Sequence, residues 1–128
     1  MGSDADLDVC AKNISRLDRC SKALERLCKD LNPKKSNLRS IQQEVEDELD
    51  SGNKLVTETW KILKAKKNDK NLEAGLRSRV DRLAEQFGDA GSSFENASRR
   101  VLEQRMKLPA QEFESAGDAA EAGAAGGG

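Results

Sequence analysis

Apolar residues recur at alternating steps of four and three along three long segments of this chain, and each segment runs into a cluster of helix-breaking residues. That spacing follows the 3.6-residue turn of an α-helix and gathers the apolar side chains on one face. The first segment, about residues 6–31, carries Cys10, Ile14, Leu17, Ser21, Leu24, Cys28 and Leu31, with Leu27 widening the stripe. The second, about 36–67, carries Leu38, Ile41, Val45, Leu49, Gly52, Val56, Thr59 and Leu63, flanked by Leu55 and Ile62. The third, about 72–107, carries Leu72, Leu76, Val80, Leu83, Phe87, Ala90, Phe94, Ala97, Val101 and finally Leu108.

The breaks between stripes are short. Asn32-Pro33 ends the first, because proline disfavours helix in the residue before it. Ser36 is the expected N-cap of the second. Asn68, Asp69, Lys70 and Asn71 interrupt the pattern again, and Pro109 stops the third segment. Links this short force neighbouring helices to run antiparallel. The expected fold is therefore all-α: an up-down-up three-helix bundle with helices roughly 40–55 Å long at about 1.5 Å per residue. Gly88 and Gly91 each cost about 1 kcal/mol inside a helix, and a closely packed neighbour at those positions is the expected reason for them. Residues 1–5 and the Ala/Gly/acidic stretch 109–128 read as disordered, the latter as a linker or tail.

Composition narrows the function classes. The chain has 128 residues, enough for one domain, and its net charge of −1 lacks the basic excess that non-specific nucleic-acid binding needs. No apolar run is long enough to span a bilayer, and the acidic N-terminus is unlike a signal peptide. Gly2 is a poor myristoylation site because Asp6 stands where serine or threonine is wanted. Cys10, Cys20 and Cys28 are odd in number and lie in one helical stretch, which suits a reducing compartment and core packing rather than redox chemistry. The sequons at Asn13 and Asn96 fall inside helical patterns and read as chance matches. With no histidine, no Cys-x-x-Cys pair and no phosphate loop, neither a catalytic role nor a metal or cofactor is expected.

The candidate site residues are accordingly those of a docking surface. Trp60 lies beside the second stripe, either as a binding anchor or as a cap on the bundle core. Lys61, Lys64, Lys66, Lys67 and Lys70 gather near Arg77 and Arg79 if the helices fold back, either as a contact for an acidic partner or anionic membrane or as a solvated helix end. Leu102 and Met106, just off the third stripe, are weaker candidates for an exposed patch. The second and third stripes border a groove suited to an incoming helix.

Asn37-Leu38-Arg39, Ile41-Gln42-Gln43-Glu44, Lys54-Leu55-Val56-Thr57-Glu58-Thr59 and Leu63-Lys64 follow one another in the second segment. This wording is similar to the second helix of the N-terminal Habc domain of endosomal and vacuolar syntaxins. Asn13-Ile14 with Leu17, Leu24, Leu27 and Leu31 resembles that family's first helix, and Asp81-Arg82-Leu83 with Phe87 and Phe94 its third. The likeness runs from about Leu7 to Leu108. Glu95 and Ser98 replace expected glutamines, and Gly88, Gly91 and Trp60 are unusual, so the chain resembles a divergent member.

The resemblance implies a non-catalytic domain that regulates SNARE assembly or recruits SM-family or tethering proteins. It also implies a fragment without the SNARE motif and membrane anchor, acting in the full-length protein at the cytoplasmic face of endosomal, vacuolar or Golgi-derived membranes; the short links and the lack of a spanning apolar run favour a soluble, folded-back monomer. Its partners would be SNARE helices, which in some members of the family include the motif of the same full-length protein and in others do not. The competing readings are an unrelated spectrin-like or adaptor bundle, an anionic-membrane surface module and a homodimeric coiled coil.

Overall fold

The computed structural model describes residues 4–34 and 36–108. Three helices, α1 (Ala5–Asp30), α2 (Leu38–Lys67) and α3 (Ala74–Met106), form the expected all-α bundle. Cross-links fix their directions. Lys66 near the end of α2 meets Asp4 before α1, and Gln104 late in α3 donates to the Leu31 carbonyl beyond α1. Arg105 of α3 pairs with Glu46 in the first half of α2. The order is therefore up-down-up, with α2 antiparallel to both of its neighbours.

The stripes supply the core in two clusters. One joins the later part of α1 to the start of α2 and the end of α3 through Leu17, Leu24, Leu31, Val45, Phe94 and Val101. The other closes the opposite end with Leu7, Cys10, Leu63, Val80 and Leu83. Ile14 and Phe87 pack against both. The buried polar residues Asn13 and Thr59 are held within this interior. Asn13 donates its Nδ2–H to Glu58 Oε1 at 3.0 Å.

Several details differ from the sequence expectations. Asp4 and Ala5 are ordered: Asp4 caps α1, its Oδ1 accepting from the backbone N–H of Asp6 at 2.9 Å and of Leu7 at 3.3 Å. Ser36 is not a cap; α2 starts at Leu38 after Asn37, whose side chain makes no capping bond. The third helix begins two residues later than its apolar pattern, because Leu72 lies in the turn and donates its N–H to the Asp69 carbonyl. Residues 1–3, with Gly2, and the tail 109–128 lie outside the described residues.

The glycines reverse one expectation. A Cβ at Gly88 or Gly91 would meet nothing within 4 Å, so neither is there to admit a close neighbour. The close approach is at Gly52, where an added Cβ would collide with the buried Phe94 ring. A glycine on an apolar stripe, opposite a phenylalanine, lets α2 and α3 meet at that level.

Asp4 has a second role. Its Oδ2 accepts from Lys66 Nζ at 2.7 Å, with Asp6 at 3.7 Å from the same ammonium. The Lys66 hydrogen bond, helped by the two backbone N–H donors and opposed by desolvation, holds the Asp4 carboxyl below its ordinary 3.8. The same bond raises Lys66 above 10.5. A depressed carboxylate stabilises the fold above its unfolded value, and that contribution disappears as pH falls through the folded value. The Lys66 contribution is present below 10.5 and is lost at higher pH, as the ammonium deprotonates. Asp4→Ala is expected to cost about 1–2 kcal/mol, mostly through the lost cap. Acid titration of stability checks the sign: the difference between wild type and Asp4→Ala narrows below about pH 4. A difference that stays constant down to pH 2 would mean the carboxylate charge is irrelevant.

Candidate functional site

The three seams of the bundle are unequal. α1 packs extensively on α2 and on α3, whereas α2 and α3 approach each other closely at far fewer positions. Phe94 against Gly52 and the Glu46–Arg105 pair at 2.7 Å hold that thinner seam. Helical spacing places Leu49, Val56 and Trp60 on the edge of α2 turned toward α3, away from the α1-facing Glu58 and Lys66. By the same spacing Ala84, Gly91 and Ser98 lie on the edge of α3 turned toward α2, opposite the α1-facing Gln86 and Ser93. Leu49, Val56 and Phe87 are half-buried against the core rather than sealed within it. Partly buried apolar side chains therefore line the α2–α3 seam, which reads as a shallow trough between the two helices.

Trp60 stands at the trough's edge and is 53% exposed, so it does not cap the core. The ammonium of Lys64 sits 4.6 Å from its ring centroid. Such a cation–π contact orients the indole while leaving much of its surface available. Leu102 is 46% and Met106 83% exposed near the other end of α3, and neither is brought near Trp60.

The basic cluster is largely engaged within the bundle. Arg79 pairs with Asp8 at 2.7 Å. Arg77 donates to the Asp69 carbonyl at 2.7 Å and so ties the α2–α3 turn to α3. Lys66 is bound to Asp4, and Lys64 covers Trp60. Lys61 and Lys67 are exposed. Lys61 lines a shallow depression of about 630 Å³ with Asn53, Lys54, Thr57, Glu58 and Ile62, which among the described residues all belong to α2. A depression walled by one helix brings no groups together for chemistry.

The three cysteines are free. Burial pushes the Cys10 and Cys20 thiols up to about 11, so neither is a thiolate at neutral pH. Cys20 was missed by the apolar pattern, because it lies one turn before Leu24 on the edge of the stripe. Among the described residues no group of His, Cys, Asp or Glu is arranged to hold a metal ion, and no helix is long and apolar enough to cross a membrane. Comparison with family profiles, curated proteins and solved structures finds no match.

Proposed function

We propose that this chain is a non-catalytic protein-binding domain that receives an amphipathic helix in the α2–α3 trough. The observation that carries the reading is the thin α2–α3 seam, with half-buried Leu49, Val56 and Phe87 as floor and Trp60 at its edge. A helix bearing apolar residues at i, i+3, i+4 and i+7 fits such a trough. Docking it converts three helices into a four-helix arrangement and removes the exposed apolar floor from water. The syntaxin-like wording of the three helices supplies the partner class: a SNARE-motif helix, with SM-family or tethering proteins as further partners. On this reading the domain regulates SNARE assembly at the cytoplasmic face of endosomal, vacuolar or Golgi-derived membranes.

Trp60 is the sole tryptophan, so its fluorescence reports directly on the trough. Titration with SNARE-motif helices and SM-family proteins is expected to give a saturable change. Gly91→Leu provides the test variant, because a side chain there projects into open space and leaves the core intact. It is expected to weaken helix binding at least about tenfold, an effect of about 1.4 kcal/mol, with a melting temperature at or above that of wild type, since leucine is favoured over glycine within a helix. Trp60→Ala, followed by calorimetry, is expected to weaken it similarly. Binding that ignores both substitutions, or no binding by the folded monomer, would remove the trough as the site.

A further inference from the structure

Six basic residues, Lys12, Arg16, Arg19, Lys22, Arg26 and Lys29, lie along the side of α1 opposite its buried stripe, and all six are exposed. Their steps of four and three match the helix repeat, so they form a continuous strip about 25 Å long at about 1.5 Å per residue. Two acids interrupt this stretch, Asp18 and Glu25, and both sit toward one flank. Asp18 engages Lys22 at 3.3 Å in a solvent-exposed pair that is readily exchanged. Where α1 meets α2, Arg16, Arg19, Lys22 and Arg26 surround a concavity of about 450 Å³ with Cys20 and Glu48 on its wall. The strip holds six of the chain's 22 lysines and arginines, and only Asp18 and Glu25 lie among them, so it is a local excess of positive charge on a nearly neutral chain.

We propose that the outward face of α1 binds the surface of an anionic lipid membrane. A flat, negatively charged surface is recognised by coplanar point charges and needs no apolar anchor. The strip has that character: the exposed large apolar residues, Trp60, Leu102 and Met106, all belong to the other helices. A protein interface would place an aromatic or aliphatic anchor at its centre, and a single-stranded nucleic acid would require aromatic rings for stacking. α1 carries no aromatic residue. The face is separate from the α2–α3 trough, so membrane contact leaves the trough open, and the inference stands independently of the helix-binding proposal.

The test is co-sedimentation of the full chain with vesicles of phosphatidylcholine containing about one-third phosphatidylserine, at low and at physiological salt. Binding is expected to the anionic vesicles and not to pure phosphatidylcholine, and to weaken steeply as salt shortens the screening length. Arg19→Glu/Arg26→Glu, both at exposed positions, is expected to lower partitioning at least about tenfold while circular dichroism is unchanged. Lys61→Glu/Lys67→Glu at the end of α2 is the comparison variant and is expected to bind normally. Absence of binding to anionic vesicles at low salt overturns the proposal. So does loss of binding in the α2 variant with retention in the α1 variant, or binding of the wild type to an RNA homopolymer or an acidic peptide in place of vesicles.

Discussion

Gly52→Ala is expected to lower the melting temperature, although alanine is favoured over glycine in a helix by about 1 kcal/mol. The reason is the Phe94 ring, which occupies the space where the new Cβ would stand. Phe94 is buried within the larger core cluster, so it has no solvent into which to retreat. Overpacking of this kind costs about 1–3 kcal/mol, and Gly52→Leu is expected to fall at or beyond the upper end. Gly88→Ala provides the contrast. Nothing lies near its Cβ, and the position is exposed within α3, so it is expected to stabilise by up to about 1 kcal/mol. For a domain of this size each kcal/mol moves the midpoint by about 4–8 °C, so thermal melts separate the two substitutions by sign. Phe94→Leu in the Gly52→Ala background is expected to recover part of the loss. A Gly52→Ala protein that melts at or above wild type would show that the ring has room to move.

Leu31→Ala is expected to cost about 2–5 kcal/mol, as much as a mid-helix core truncation, although the residue stands outside α1. Leu31 is fully buried and joins Leu38, Val101 and Leu108 in the larger cluster. Its backbone is also committed: its N–H reaches the Cys28 carbonyl at 3.3 Å, and its carbonyl accepts from Gln104 at 2.9 Å. One side chain therefore plugs the end of the bundle where the α1–α2 link and the last turns of α3 meet. The adjacent Asn32→Ala removes one exposed bond, the Lys34 N–H to Asn32 Oδ1 at 2.9 Å, and is expected to cost no more than about 1 kcal/mol. Urea unfolding resolves the comparison, with the midpoint shifted and the slope preserved for Leu31→Ala. A loss under about 1 kcal/mol would mean that the end of the bundle collapses around the deletion.

The bundle was legible because burial follows period. Val45, Leu63, Val80 and Val101 could be placed from spacing alone, and all are buried. Leu7, Cys20 and Gln42 are buried as well and were not read, since each lies at a stripe's start or edge, where burial depends on how a neighbour leans. Gly52 carries no packing signal until its partner across α2 and α3 is known. Trp60 had two readings, and only its position beside the thin seam separates an exposed ring from a core cap. The α2-end cations were grouped by sequence proximity, but Arg79 and Lys66 are consumed by acids at the start of α1, a pairing of residues far apart in the chain. The basic strip on α1 has the same period as the core. Apolar periodicity locates the buried face and says nothing of which charges stand on the face it leaves to solvent.

The Asn13–Glu58 hydrogen bond also sets an alignment. Heptad-like stripes of similar side chains permit one helix to slide along another by a turn, about 5.4 Å, with little change in apolar contact. Such a slip of α1 along α2 would bring Asn13 level with Leu55 or Ile62 instead of Glu58. Its buried amide would then lose its acceptor, at about 1–3 kcal/mol. One polar side chain thus rejects the neighbouring alignments that leucine, valine and cysteine would tolerate, and keeps the thin seam, the trough and the charged strip in fixed relation.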